Sequence, residues 1–213
     1  MGGCFIVVEG PDGVGKTTLA SRLAARLRAI GHTVLEVREP GGTPVAEAAR
    51  SIVLDPDLDA TPLAELFLML AARADLVAHV IRPALDAGTI VLGDRYELST
   101  WAYQVEGRQL PREAVLEANR LATGGLVPDL TLVLDAPGDV LQHRMAIDGK
   151  ALDRIEQSTE DVRRRIARAF LGAEGPGIEH VDAVGDPDVV EAAAWTLVKA
   201  CLPNGGCASE SDA

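Results

Sequence analysis

A glycine-rich segment near the N-terminus constrains this chain more than any other feature. Residues 10–17, here called the phosphate loop, read Gly-Pro-Asp-Gly-Val-Gly-Lys-Thr and fit the pattern G-x-x-x-x-G-K-[ST]. A short β-branched run at residues 5–8 precedes the loop, and leucines at helical spacing follow it. In such a unit the glycines let backbone N–H groups surround phosphate oxygens, and the helix N-terminus adds positive charge. The segment therefore predicts a nucleoside triphosphate site.

Within this loop the pattern assigns individual roles. Lys16 is placed for the β- and γ-phosphates, and the hydroxyl of Thr17 is placed to hold Mg²⁺. A glycine turn that merely precedes a helix is the alternative, but both flanks have the context that the motif requires. The predicted nucleotide-binding residues are Gly10, Pro11, Asp12, Gly13, Val14, Gly15, Lys16, Thr17 and Thr18.

Strand-like and helix-like patterns alternate along the rest of the chain. Strands are predicted at residues 5–8, 33–37, 89–92, 130–134 and 178–181, and helices from residue 16 and over 45–54, 62–87, 98–105, 112–122, 139–146, 159–171 and 187–201. Together with the phosphate loop, this order predicts an α/β, P-loop NTPase-like fold, with a five-stranded parallel sheet flanked by helices on both faces. Ligands bind beyond the carboxyl ends of such strands, where the loops near Gly10, Arg38 and Asp94 must lie. We expect a single domain over residues 1–203 and a frayed tail over 204–213.

Composition excludes several classes of partner. The chain has 20 Lys and Arg against 32 Asp and Glu, a formal charge of −12, which repels the phosphate backbone of nucleic acids. No apolar run approaches the roughly 18 residues of a membrane helix. Cys4, Cys201 and Cys207 lack the spacing of a metal site or a disulfide framework, which fits a reducing compartment. We expect a soluble cytoplasmic protein that binds small-molecule nucleotides, and neither nucleic acid nor membrane.

Further motifs resemble those of the thymidylate kinases, from about residue 5 to residue 172. Besides the phosphate loop they are Arg38-Glu39-Pro40-Gly41-Gly42-Thr43, Ala71-Ala72-Arg73, Asp94-Arg95-Tyr96, Ser99-Thr100-Trp101-Ala102-Tyr103-Gln104, Pro128-Asp129-Leu130-Thr131 and Asp153-Arg154-Ile155-Glu156. The resemblance implies an enzyme that transfers the γ-phosphoryl group of ATP to thymidine monophosphate with Mg²⁺. It also implies a homodimer formed through apolar helices such as residues 63–85.

Chemistry alone supports an acceptor site for a phosphate. Arg38 and Arg95 each follow a predicted strand, and their guanidinium groups suit phosphate oxygens bidentately. Surface arginines in salt bridges are the alternative. Asp94 either positions Mg²⁺ through water or orients Arg95. We therefore expect Lys16, Asp94 and Arg95 among the catalytic residues, and Thr17 and Asp94 as the metal site.

The resemblance also implies roles around the acceptor nucleoside. Asp12 would touch the sugar 3′-hydroxyl and help catalysis by organising the acceptor, although it could also be a solvent-facing turn residue. Arg73 would contact O4 of the pyrimidine, and Thr100 would contact N3. Tyr103 would press on the sugar and disfavour a 2′-hydroxyl, whereas Gln104 would either reach the base or cap a helix.

A lid near residues 143–157 is expected to supply positive charge. The variable positions of the phosphate loop, residues 11–14, contain no basic side chain, so the resemblance implies that the cation at the transferring phosphoryl comes from the lid. Arg154 is the first candidate, followed by Arg144 and Lys150. Arg144 could instead form only a helix salt bridge.

Three departures from the family pattern leave open which nucleoside monophosphate is the acceptor. Asp148 stands where the family has Arg before Gly149, and Met69 stands where a family Phe stacks on the base. Met69 could equally be core packing, because thioethers fill cores readily. Val105 and Gln109 replace glycines. The alternatives are a kinase for another or modified nucleoside monophosphate, or a nucleotide-binding module with weakened catalysis.

Overall fold

A parallel sheet forms the centre of the computed structural model, which describes residues 2–148 and 153–202, without the side chain of Asp148. Its five strands lie in the order β2-β3-β1-β4-β5, and every neighbouring pair is parallel. The strands are β1 (Cys4–Glu9), β2 (Val34–Arg38), β3 (Ile90–Asp94), β4 (Leu130–Asp135) and β5 (Ile178–Asp182). The predicted five-stranded parallel sheet is confirmed.

Helices connect the strands at nearly the predicted places. They are α1 (Lys16–Ala29), α2 (Pro44–Leu54), α3 (Pro62–Leu76), α4 (Arg82–Asp86), α5 (Glu97–Thr100), α6 (Arg112–Thr123), α7 (Gly138–Asp148), α8 (Glu160–Leu171) and α9 (Pro187–Cys201). None of the helices in the described ranges is long and apolar enough to cross a membrane.

Two predicted helices differ from the structure in their interiors. The helix predicted over 62–87 contains a π-helical turn, Val77–Ile81, between α3 and α4. Pro83, in the first turn of α4, cannot donate the i to i−4 hydrogen bond, and a wider turn accommodates the loss. The helix predicted over 98–105 begins as α5 and continues as a second π-helical segment, Trp101–Gly107. Hydrophobic periodicity does not distinguish such turns from α-helix.

β1 explains why helices cover both faces of the sheet. All its residues are buried, and successive side chains point to opposite faces. Ile6 and Val8 pack in the same core cluster as the leucines of α1, whereas Phe5 and Val7 pack with Leu76 on the other face. Burial on both faces produces the continuous apolar run seen in the sequence.

The register of the central strands brings three loops together. Asp94 at the end of β3 pairs with Val8 of β1 and with Arg38 of β2. The chain leaves the sheet at this edge into the phosphate loop, into the segment after Arg38 and into the turn at Arg95. This confirms the prediction that the three loops share one edge.

The lid is described only in part. α7 ends at Asp148, and the chain is described again from Asp153, in a turn that ends before α8. We call residues 153–157 the lid stem. Lys150 and the predicted tail over 204–213 lie outside the described residues.

Candidate active site

A cavity of about 490 Å³ opens at this edge of the sheet. The phosphate loop forms one wall, the segment after β2 and α3 form another, and α7 and the lid stem cover part of it. Although the chain carries a formal charge of −12, cationic side chains line the cavity, namely Lys16, Arg38, Arg50, Arg95 and Arg144. A cavity with several convergent guanidinium groups is suited to polyanionic ligands.

The phosphate loop has the backbone that its glycines predict. Gly10 has a φ of +140°, and a Cβ there would lie 2.6 Å from the carbonyl oxygen of Leu134. Gly15 is the N-cap of α1, with a φ of +103°, a conformation available at little cost only to glycine. The loop can therefore turn its N–H groups toward an anion at the helix N-terminus.

Lys16 lines the cavity, and its surroundings disfavour its charged form. Its Nζ donates to the carbonyl oxygen of Pro11 at 2.7 Å. Burial disfavours the ammonium form and Arg95 repels it, and together they lower the pKa of Lys16 to about 8 despite the carboxylates of Asp12 and Asp94. An anionic ligand would raise this pKa and favour the charged form further, because an opposite charge stabilises the ammonium group of a lysine.

Thr17 and Asp94 form a pair of oxygen groups beside the loop. The hydroxyl of Thr17 donates to Oδ2 of Asp94 at 2.5 Å, and both residues line the cavity. Hydroxyl and carboxylate oxygens are ligands that Mg²⁺ accepts, so the donor set fits this ion. Within the described ranges no three His, Cys, Asp or Glu residues converge on a metal position. Phosphate oxygens and water would have to complete the coordination.

Arg95 has an unusual backbone and several partners. Its φ is +74°, a left-handed conformation that non-glycine residues adopt mainly at functional sites. The guanidinium donates to the carbonyl of Gly10 at 3.2 Å, to Ser99 Oγ at 3.0 Å and to Tyr103 Oη at 3.2 Å, and forms an ion pair with Asp12. Asp12, rather than Asp94, therefore orients Arg95 among the described residues.

Glu9 stabilises the turn around Arg95 by accepting hydrogen bonds from Tyr96 and Ser99. The sequence did not predict this role. It is fully buried, and Oε1 accepts from the backbone N–H groups of Tyr96 and Ser99 at 2.7 and 3.0 Å. Oε2 accepts from the hydroxyl of Ser99 at 2.6 Å. An acidic residue that ends an otherwise apolar strand was the signal in the sequence.

Arg73 and the residues around it lie behind the cavity wall. Arg73 donates from Nε to Glu39 at 2.6 Å, from Nη1 to Thr100 Oγ1 at 2.7 Å and to Asn119, and from Nη2 to the carbonyl of Tyr96 at 2.8 Å. Its side chain is fully buried. The lining of the cavity includes Met69 and Tyr103, but among the described residues it does not include Arg73, Thr100 or Gln104.

The side chain of Gln104, for which the sequence left a contact with the base or a helix cap open, contacts α3 in the described structure. It is buried, and its Nε2 donates to Oε1 of Glu65 at 2.9 Å. Its Oε1 is buried and has no hydrogen-bond partner in the described structure. The described side-chain partner of Gln104 therefore lies on α3, and Gln104 is not among the described residues that line the cavity.

Two arginines flank the entrance on the β2 side. Arg38 is half exposed and pairs with Glu47 at 3.1 Å. Arg50 on α2, which the sequence analysis did not single out, donates to the carbonyl of Pro40 at 2.8 Å and lines the cavity. Helical periodicity alone could not identify Arg50, because it reports the face of the helix but not what lies opposite.

Of the two lid arginines in the described residues, Arg144 lines the cavity and Arg154 does not. Arg144 lines the cavity and donates to the carbonyls of Val14 at 3.2 Å and Ala183 at 2.9 Å, so its described partners are not carboxylates. Arg154 instead pairs with Glu65 at 2.7 Å and is absent from the described lining of the cavity.

Comparison with known proteins decides the family. A family model described as thymidylate kinase matches residues 8–191. The chain belongs to the thymidylate kinase family. A thymidylate kinase of Deinococcus radiodurans is 45% identical over 199 residues, which cover 92% of this chain and 96% of the relative. A thymidylate kinase of Thermomicrobium roseum is 43% identical over 204 residues, covering 94% and 97%.

Membership of the thymidylate kinase family confirms the predicted enzyme class. The chain is a nucleotide-binding phosphotransferase with ATP as phosphoryl donor. The two alternatives left open by the sequence, a kinase for another nucleoside monophosphate and a module with weakened catalysis, are not favoured by these matches.

Proposed function

We propose that this protein transfers the γ-phosphoryl group of ATP to thymidine monophosphate, giving thymidine diphosphate and ADP. The observation that carries the proposal is a phosphate loop and a separate set of arginines, Arg38, Arg50 and Arg95, lining one cavity. A nucleotide-binding switch requires only the first of these. A phosphoryl transferase requires both, because donor and acceptor phosphates must lie in line.

The donor site consists of the phosphate loop and the start of α1. Backbone N–H groups of residues 10–18, except Pro11, which has none, hold the phosphates of ATP, and Lys16 neutralises charge on the β- and γ-phosphates. Thr17 and Asp94 hold Mg²⁺ with their adjacent oxygens. When bound, the ion would supply positive charge that offsets the negative charge developing on the transferred group.

The acceptor phosphate is clamped by the three arginines. A guanidinium group presents a planar fork that matches phosphate oxygens. Asp12 and Tyr103 fix the direction of Arg95, which sets the approach of the acceptor phosphate to the γ-phosphoryl. In this proposal Asp12 also contacts the sugar 3′-hydroxyl, and Tyr103 presses on the sugar.

The base of the acceptor lies against Met69. Recognition of the pyrimidine edge by Arg73 and Thr100 remains a prediction. Partners in the described structure occupy four of the five N–H bonds of Arg73, which leaves one for a base oxygen. The buried amide of Gln104 supports the wall through Glu65.

Arg144 is the lid cation that we assign to the transferring phosphoryl. It lines the cavity beside the phosphate loop, and a cation there stabilises charge on the group in transfer. Arg144→Gln should lower kcat by about 100-fold, within the range of a single charge-stabilising donor. An unchanged kcat would show that Arg144 does not stabilise the transferring phosphoryl group and that another lid residue must do so.

A coupled assay of ADP formation tests the activity. ATP, Mg²⁺ and a panel of nucleoside monophosphates are supplied to wild type, to Lys16→Ala and to Lys199→Ala as an exposed control. We expect turnover to be highest with thymidine monophosphate, lost in Lys16→Ala and retained in Lys199→Ala. Absence of turnover with every acceptor would refute the proposed kinase activity.

We also propose a homodimer that acts in the cytoplasm, with residues 1–203 as one domain. Leu63 and Phe67 lie one turn apart on α3 and are 51% and 58% exposed, which supports an apolar interface on that helix. Light scattering should give twice the chain mass, and Phe67→Glu should shift the protein toward monomer. A monomeric wild type would refute the dimer.

A further inference from the structure

Glu65 is a buried carboxylate that has entered the proposed reaction only as the partner of Gln104. It lies on α3 with a side chain only 1% exposed. Donors from two other segments converge on it. Arg154 Nη2 lies 2.7 Å from Oε2, Arg108 Nη2 lies 3.0 Å from the same oxygen, and Gln104 Nε2 lies 2.9 Å from Oε1. One carboxylate thus joins α3, the second π-helical segment with the residue after it, and the lid stem.

The charges of this cluster favour a fixed arrangement. Burial alone would raise the pKa of Glu65, but hydrogen bonds from Arg108, Gln104 and Arg154 outweigh it and hold the pKa below its ordinary value. Glu65 therefore stays ionised between two guanidinium groups. Removal of this carboxylate would leave both cations poorly compensated, so the cluster depends on it.

Arg154 anchors the lid stem at two further points. Its Nε donates to the carbonyl of Val53 at 2.9 Å, and its backbone N–H donates to the carbonyl of Leu54 at 3.3 Å. While Arg154 itself points to Glu65 and the end of α2, its neighbours Asp153, Ile155 and Glu156 line the cavity. The anchor of Arg154 therefore determines where the cavity-facing residues of the stem lie.

The face of α3 that carries Glu65 continues into the acceptor site. Glu65, Met69 and Arg73 follow one another at intervals of four residues, so they lie along one side of the helix. Met69 lines the cavity, and Arg73 holds Glu39 and Thr100 behind it. A single rigid helix thus connects the support of the lid stem to the wall of the acceptor pocket.

We propose that Glu65 is a positioning residue for phosphoryl transfer, which holds the lid stem over the cavity through Arg154. In this mechanism Arg154 acts from outside the cavity and does not contact the transferring phosphoryl group. The inference rests on the proposed kinase activity, because it concerns the geometry of that reaction. It assigns to Glu65 and Arg154 one joint function instead of two separate ones.

A double-mutant cycle on kcat tests the joint function. Glu65→Gln and Arg154→Gln should each lower kcat about tenfold, and the double variant should be no more than about twofold slower than the slower single variant, because both changes remove one anchor. If Arg154 contacts the phosphoryl group directly, Arg154→Gln will be far slower than Glu65→Gln, and the two losses will multiply. That result, or two single variants with wild-type kcat, would overturn the proposal.

Hydrogen exchange of the lid stem separates positioning from general destabilisation. Amides of residues 153–157 should exchange faster in both single variants, whereas the dissociation constant for ATP should stay within about twofold. Glu117→Gln, which removes the exposed pair with Arg120, is the matched control and should change neither. Unchanged exchange in Arg154→Gln would contradict the anchor. If Glu65→Gln does not fold, Arg154→Gln still tests the proposal, because Glu65 remains paired with Arg108 in that variant. Because exchange needs no turnover, failure of the anchor remains distinguishable from absence of kinase activity.

Discussion

The hydroxyl of Tyr103 donates a hydrogen bond to Oδ2 of Asp12 across 2.6 Å. This contact joins the second π-helical segment to the phosphate loop. Tyr103 Oη also accepts a hydrogen bond from Arg95, and Arg95 pairs with Asp12. Burial alone would raise the pKa of Asp12, but Arg95 and Lys16 outweigh it and lower that pKa. The phosphate loop and Arg95, which we propose to hold the acceptor phosphate, thus share one charged network.

Tyr103→Phe should weaken the acceptor side of this network. The ring still lines the cavity, but Asp12 loses one of its partners and Arg95 loses one constraint. We expect kcat/KM for thymidine monophosphate to fall about tenfold, or about 1.4 kcal/mol. Initial rates at varied acceptor and varied ATP measure the effect. A decrease confined to the KM for ATP would show that the hydroxyl serves the donor site instead.

The lowered pKa of Lys16 predicts a pH dependence of ATP binding. Burial and Arg95 lower its pKa to about 8 in the empty site, whereas bound phosphates favour the charged form. As pH rises above 8, ATP binding must be accompanied by uptake of a proton, so affinity falls. We expect a loss of roughly tenfold between pH 7.5 and 9.

Calorimetry in two buffers of different ionisation enthalpy measures this proton uptake directly. Wild type should take up close to one proton per ATP at pH 9 and only about a tenth of a proton at pH 7. Lys16→Ala, if it retains weak binding, should lose the uptake. Equal uptake in wild type and Lys16→Ala would assign the proton to another group.

Arg73→Ala should destabilise the fold as well as the reaction. Arg73 is fully buried and pairs with Glu39, which is also buried. Loss of the arginine leaves the carboxylate without its counter-charge, which costs about 3–5 kcal/mol. Urea denaturation measures the free energy of unfolding, with Arg120→Ala in an exposed pair as a control expected to leave that free energy nearly unchanged.

A double variant checks the origin of that loss. Arg73→Ala combined with Glu39→Gln removes both charges, so it should be less destabilised than Arg73→Ala alone. Equal stability of the single and double variants would show that the lost packing and neutral hydrogen bonds, rather than the unpaired carboxylate, account for the effect.

The sequence predicts the fold well because its strongest signals are local. β1, the phosphate loop and α1 follow directly from an apolar run, three glycines and leucines at helical spacing. The predicted strands also place Arg38, Asp94 and the phosphate loop at one edge, since parallel strands share a direction. These inferences need only periodicity and handedness.

The sequence could not predict in the same way which side chains pair with one another in the site. Arg144 and Arg154 are both cations near the lid, and only the three-dimensional arrangement shows that Glu65 faces Arg154. The buried position of Arg73 depends on Glu39 and Asn119, which come from other elements. Nothing in the spacing of these residues along the chain reports such contacts, because they are set by packing between helices.

Met69→Phe should change discrimination among acceptors that differ at the pyrimidine 5-position. Met69 is buried and lines the cavity, and a flexible thioether adapts to substituents more readily than a rigid ring. We expect the ranking of kcat/KM among 5-substituted deoxyuridine monophosphates to shift by about tenfold, or about 1.4 kcal/mol, against the bulkier substituents. Differences of one methylene in an apolar pocket have this magnitude.

The neighbouring Leu70 provides the control for this change. Leu70 is buried in a core cluster with Leu66, Val105 and Val115 and does not line the cavity in the described structure. Leu70→Phe should therefore lower stability through overpacking but leave the ranking of acceptors unchanged. If Met69→Phe behaves like Leu70→Phe, with lower stability and the same ranking, Met69 belongs to the core and does not select the base.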